Sequence, residues 1–397
     1  MTPRTPLPGG QPDFSLVLGG PLFQLFRRAH LSGDALQLLR RRMLVIAGIT
    51  WLPLLVLSAF SGDAVLDTDG IPFLYDVEAH VRFLIAVPIL VAAELVVHLR
   101  LRPVVEQFVE SGIVVPEDLP RFRGIIESIL RLRNSVVGEA VLAGVVFTLG
   151  FWVWRSQVAL GTATWYAVPG GEGMRFTPAG YWYVFAALPI FQFLLLRWYL
   201  RFLLWFWFLW RVSRLNLRLV PTHPDRSAGL AFLGRSTQAF VPILVAQGAV
   251  LSALIASQIF HAGETLMAFK FEAVGLVAFF LISILSPLMV FTPRLVRAKR
   301  EGLAEYGVLA SRYVAQFETK WLRGGAPADE SLLGSADVQS LADLGNSYAV
   351  VQEMRPVPFA LRDAISLAVA AAVPLLPLVL TMFSLEEVVA RLAKVLF

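Results

Sequence analysis

The stretch VRFLIAVPILVAAELVVHLR, residues 81–100, decides how the chain is read. Between Arg82 and Arg100 only Glu94 and His98 interrupt an apolar run. A helix that crosses a bilayer needs about 20 mostly apolar residues. The run is continuous rather than alternating, which excludes a spanning β-strand. Six more runs of this kind lie near 43–60, 136–154, 181–210, 239–260, 272–292 and 364–383, so seven spans are predicted.

The composition agrees. Of 397 residues, 57% are hydrophobic and 16% charged, where a soluble domain has roughly 45–50% apolar and about 25% charged residues. The surplus apolar surface needs lipid rather than a larger core. There is no cysteine, which excludes disulfides, thiolate ligands and a cysteine nucleophile. A net charge of +5 is compatible with nucleic-acid binding, but the placement of the basic residues explains it without that partner.

Lys and Arg sort sharply among the connections. Six lie up to Arg42, six in 100–135, five in 211–238 and nine in 293–363. The other connections, 61–81, 155–180 and 261–271, hold none, two and one, and two follow residue 383. Basic loops stay in the cytoplasm. The expected protein is an all-α polytopic bundle with its N-terminus inside, seven crossings and a cytoplasmic helical insertion. Its leucine-, alanine- and arginine-rich composition suggests a bacterial inner membrane. Aromatic groups at 151–154 and 181–183 fall at the outer ends, where such rings favour the headgroup layer.

Four regions follow. Residues 1–42 form a leader, with MTPRTPLPGGQPDF (1–14) read as disordered rather than as a signal peptide and PLFQLFRRAHL (21–31) as a surface segment. Residues 43–292 carry spans one to six. Residues 293–363 give two amphipathic stripes joined by a loop, the first Leu303, Tyr306, Tyr313, Phe317 and Trp321, the second Val338, Leu341, Leu344, Tyr348 and Val351. They predict a helical hairpin that packs on itself or on the membrane domain. Residues 364–397 hold the seventh span and an amphipathic end, SLEEVVARLAKVLF. Pro374 and Pro377 leave two readings of that span, a full crossing or a re-entrant hairpin. Gly248, Ser252 and Ala256, and likewise Ala364, Ala368 and Ala372, recur four apart and predict close helix contacts.

Ionisable groups inside spans are costly and face protein or water. Glu94 and His98 share one face of span two, Glu139 lies in span three, and Arg197 and Arg201 share one face of span four. These residues, with Gln247 of span five, are the candidate polar lining. One reading is a set of structural ion pairs. The other is a vestibule open to the cytoplasm that binds an anion or relays protons.

Residues 218–234, RLVPTHPDRSAGLAFLG, gather His223, Asp225 and Arg226 between apolar blocks. Thr222, Pro224 and Asp225 have the spacing of a helix start. The same geometry offers a phosphate or carboxylate site beside His223 and Arg226. His223-Pro224-Asp225 also resembles the His-Pro-Asp tripeptide with which J-domain co-chaperones engage their chaperone partner. The match covers three residues, and apolar spans flank it here where soluble helices flank it there, so that function is not carried over.

In the acidic connection after span one, DTDG lacks the rest of a calcium loop, while Asp76, Glu78 and His80 are conceivable metal ligands. No nucleotide loop, nucleophile elbow, zinc-protease motif or dinucleotide glycine pattern is present. No metal, cofactor or nucleic acid is therefore expected. The leading expectation is a transporter or channel for a small solute, anionic or otherwise, or for protons. A signalling or scaffold protein is the alternative, with a homo-oligomer or cytosolic partner held through residues 300–354. A membrane enzyme using His223 and Asp225 comes third.

Overall fold

A computed structural model describes residues 14–21, 24, 38–65, 70–153, 164–170 and 173–382. The surface segment expected at 21–31, most of the DTDG motif, Trp154 and the amphipathic end at 384–397 lie largely or wholly outside them. The long helices are α1 (Leu39–Ser61), α2 (Val77–Glu110), α3 (Pro116–Arg133), α4 (Val136–Gly150), α5 (Pro178–Val212), α6 (Ala231–Ala262), α7 (Leu266–Leu285), α8 (Thr292–Phe317), α9 (Ala336–Gln352) and α10 (Leu361–Met382). A two-stranded antiparallel ribbon, Ala167–Gly170 with Gly173–Phe176, precedes α5.

Six helices, α1, α2, α5, α6, α7 and α10, are long and apolar enough to cross a membrane. Helices α3 and α4 pass the same test as a pair bent by 47°. Ser135 at the bend caps α4 by accepting the Gly138 N–H at 3.1 Å. The chain is thus a helical membrane bundle with six spans, or seven if α3 and α4 together make one. The connection expected at 100–135 is itself largely helical. It continues α2 to Glu110 and adds α3, which buries Phe122, Ile125, Ile126 and Ile129.

Phe108 of α2 sits at the centre of one end. Its ring meets Phe122 of α3, Phe208 of α5, Phe232 of α6 and Phe291 just before α8, at centroid distances of 6.0, 6.3, 5.1 and 6.3 Å. Edge-on and tilted rings at this spacing add to the area they bury. Outer faces of α1, α4 and α7 stay apolar and uncovered, with Phe60 88% and Phe271 75% exposed. Such a surface suits lipid.

The small-residue spacing on α6 is used against α10. A side chain at Gly248 would run into the Ala371 carbonyl at 2.4 Å. On α10 the buried positions are Leu367, Ala371 and Leu378, one step from the alanine stripe read in the sequence. After Ala372 the helix tightens to 3₁₀ geometry over Val373–Met382, through Pro374 and Pro377, and the two parts make one continuous span. Leu378 reaches a cluster with Ile255 and Ala256, at the end of α6 far from Gly234 and Asp363. The prolines change the pitch and do not turn the chain back.

Candidate functional site

Glu94 lies on α2 with its side chain 7% exposed, and three guanidiniums converge on it. Arg201 donates to Oε1 at 2.8 Å and Arg197 to the same oxygen at 3.3 Å. Arg42, from the first turn of α1, bonds Oε2. Arg197 also approaches Glu139 of α4 at 3.5 Å, and Arg201 stacks over the Trp198 ring at 4.4 Å. Three cations and two carboxylates from four helices therefore share one buried site, and among these five residues the positive charges outnumber the negative by one.

The structure brings together Glu94, Glu139, Arg197 and Arg201 from the candidate lining. It also adds a residue that sequence reasoning missed. Arg42 ends the basic run LRRRM and reads as loop flank, yet it is 1% exposed. Nothing in the sequence separates it from its exposed neighbours Arg40 and Arg41. Gln247 is not part of the cluster, since its amide donates to the Tyr199 hydroxyl at 2.6 Å.

Residues 14–20 fill the space beside the cluster. The sequence places Phe14 at the end of a disordered leader and the structure buries it, packed on Phe208 at 5.2 Å and Trp205 at 6.4 Å. Ser15, Leu16 and Val17 are also at most 4% exposed. The Ser15 hydroxyl lies 3.1 Å from His98 Nδ1, which ties the other predicted α2 residue to this segment. Arg133 donates to the Ser15 carbonyl and Arg197 to the Gly19 carbonyl at 3.4 Å. Gly19 and Gly20 hold φ of 142° and 91°. A Cβ on Gly19 would meet the Arg133 guanidinium at 2.4 Å, and one on Gly20 would meet Glu139 at 3.0 Å. Only glycine lets the backbone pass this close in that conformation.

At the opposite end a second network surrounds Arg82. It pairs with Glu78, bonds the Tyr183 hydroxyl and lies 5.7 Å from the Phe191 ring centre. Asp76 accepts the Trp165 indole N–H at 2.8 Å, and His80 Nδ1 accepts the Trp51 indole N–H at 2.9 Å. Asp76, Glu78 and His80 are therefore each engaged by protein groups. Among the described residues no group of three or more His, Cys, Asp or Glu is placed to hold a metal ion.

The helix expected to start at Thr222 is absent. Residues 221–230 form consecutive turns, and the helical segment begins at Ala231. Asp225 organises them by accepting the N–H groups of Ser227 at 2.8 Å, Gly229 at 3.1 Å and Ala231 at 3.0 Å. His223 Nδ1 lies 3.0 Å from the same carboxylate. Partial burial works against that charge, yet the three N–H donors prevail and hold the carboxyl below the usual aspartate range. Arg226 and Ala228 adopt left-handed φ of 56° and 52°, which costs energy that this carboxylate offsets. The Arg226 side chain meets Glu353 at 3.0 Å, and its carbonyl accepts the Arg355 N–H at 2.7 Å. The loop thus docks against the segment after α9. No protein-family model, no curated protein and no solved structure matches the chain.

Proposed function

We propose that the protein is a carrier or channel for a small anion, closed at its basic end by residues 14–20, with that end in the cytoplasm of a bacterial inner membrane. One observation carries the reading. Three guanidiniums converge on Glu94, and donors beside them are met by the neutral carbonyls of Ser15 and Gly19. Those carbonyl oxygens stand where the oxygens of an anion would be received. An anion suits the cluster better than a proton, because Glu94 is the counter-charge for buried arginines and neutralising it would strand them. The orientation rests on the rule that basic connections remain inside.

The test is anion flux into liposomes holding the purified chain. Gly19→Ala strains the closing segment and is expected to raise flux several-fold. Arg197→Gln removes the guanidinium that links both carboxylates and is expected to lower it. Identical flux in both variants and in empty liposomes would overturn the reading. A second reading, a scaffold acting through the α8–α9 hairpin, is favoured by the 88% exposed Leu333 and 73% exposed Leu322. Deleting 300–354 and comparing the captured partners tests it, and an unchanged set would count against it.

A further inference from the structure

We infer that one anionic phospholipid occupies the cleft between α1, α4 and α5, with its acyl chain in the cleft and its phosphate at the arginines below. The cleft holds a cavity of about 470 Å³, within the range of roughly 300–1,000 Å³ usual for small-molecule sites. Its lining is apolar throughout. Val146 and Ile46 form the floor at 1% and 7% exposure, while Ile49, Phe147 and Phe185 stand at the open side at 48%, 57% and 55%. That side faces outward from the bundle, where the neighbouring medium is lipid.

Length and register choose the occupant. Along α5 the lining runs from Phe185 to Leu194, about 14 Å at 1.5 Å per residue. That is close to half of the ~30 Å hydrocarbon core, the depth of one leaflet. On each wall the lowest lining residue lies one turn above a charge. Ile46 follows Arg42 by four residues, Ala143 follows Glu139 by four, and Leu194 precedes Arg197 by three. Past that turn stand the exposed Arg40 and Arg41 at the start of α1 and the half-buried Arg133 at the end of α3. Basic groups at this level attract anionic headgroups. A neutral lipid would fill the cleft equally well but leave Arg40 and Arg41, which form no ion pair among the described residues, without a counter-charge. The inference does not require the buried cluster to conduct an anion.

The experiment takes the full chain from vesicles of equal phosphatidylglycerol and phosphatidylcholine into mild detergent and reads retained lipid by native mass spectrometry. Wild type is expected to keep one phosphatidylglycerol per chain, at least tenfold over phosphatidylcholine. Ala143→Phe and Ala186→Phe fill the cavity from two different helices and should each lose the lipid. Arg41→Gln combined with Arg133→Gln should keep a lipid and lose the preference. Millimolar inorganic phosphate should not displace it, which separates a lipid phosphate from a free one. Equal retention of both lipids by wild type would overturn the inference without any variant. So would lipid kept by both filled variants, release by phosphate, or a lipid-free dimer that buries the cleft. Flux in vesicles of phosphatidylcholine alone tells the two proposals apart, because the anion reading predicts flux there whether or not the cleft selects its lipid.

Discussion

Glu94 faces three guanidiniums with little water nearby, so the cost of neutralising it is set by what remains. Removing one partner of a buried ion pair costs about 3–5 kcal/mol, because the other charge is left uncompensated. Glu94→Gln is therefore expected to lower the thermal midpoint in detergent by several degrees more than Glu139→Gln, which touches only Arg197 among the resolved ion pairs. Equal midpoints would show that the cluster is not electrostatically closed around Glu94. Asp225 makes a different case, because its folded pKa is depressed. Stability from such a group is fully present above the unfolded value near 3.9 and is lost as pH falls through the folded value. The hydrogen-exchange protection factors over residues 220–232, corrected for intrinsic exchange, should thus be flat from neutral pH down to about 4 and fall only in stronger acid. In Asp225→Asn they should already be lowered at neutral pH, and unchanged protection in that variant would deny the carboxylate its organising role. Glu94, Glu139, Arg197 and Arg201 were legible in the sequence because charges inside apolar runs are rare and must find partners. Arg42 was not, since a basic residue at the edge of a run looks the same whether it points to water or into the bundle.

Elements were legible where one dimension of the sequence suffices. Seven apolar runs became six long helices and a bent pair, and the two stripes of 293–363 became α8 and α9, joined by Tyr313 donating to the Asp337 carbonyl at 3.0 Å and Trp321 to its carboxylate at 3.0 Å. Two segments departed from their local signals for tertiary reasons. The T-x-x-D spacing at Thr222 promises a helix start, but Arg355 reaches over to the Asp225 and Arg226 carbonyls, at 3.0 and 2.7 Å, and the chain turns through left-handed residues instead. Residues 14–20 look like the end of a Pro- and Gly-rich leader, and only the aromatic pocket of Trp205 and Phe208 gives Phe14 a place to bury. The native chain contains no cysteine, so a single Leu16→Cys substitution reports on that segment directly. Its thiol is expected to react slowly with a water-soluble maleimide, and at least tenfold faster when Gly19→Ala is added. Fast labelling in the single variant would mean that the segment does not rest on the cluster.

At the scale of the whole molecule, the connections divide into two groups that touch only their own kind among the resolved hydrogen bonds. The Arg218 N–H bonds the Ile113 carbonyl at 2.8 Å, Arg294 bonds the Leu215 carbonyl, and Lys299 bonds the Met354 carbonyl at 2.8 Å, which joins 100–135, 211–238 and 293–363 at one end. At the other end the Trp165 N–H bonds the Ile71 carbonyl at 3.0 Å and its indole bonds Asp76. This grouping is what an alternating path through seven crossings demands, and the basic residues follow it. The fold alone does not choose which end faces the cytoplasm; the proposed orientation rests on charge, because basic connections resist translocation. Val65→Cys and Leu333→Cys sit at opposite ends and are 59% and 88% exposed in the native residues. In intact cells a membrane-impermeant maleimide is expected to label the first and spare the second, with the pattern reversed in inverted vesicles. The reverse result would put the arginine cluster and its closing segment on the outer face. The lipid cleft would then open to the outer leaflet.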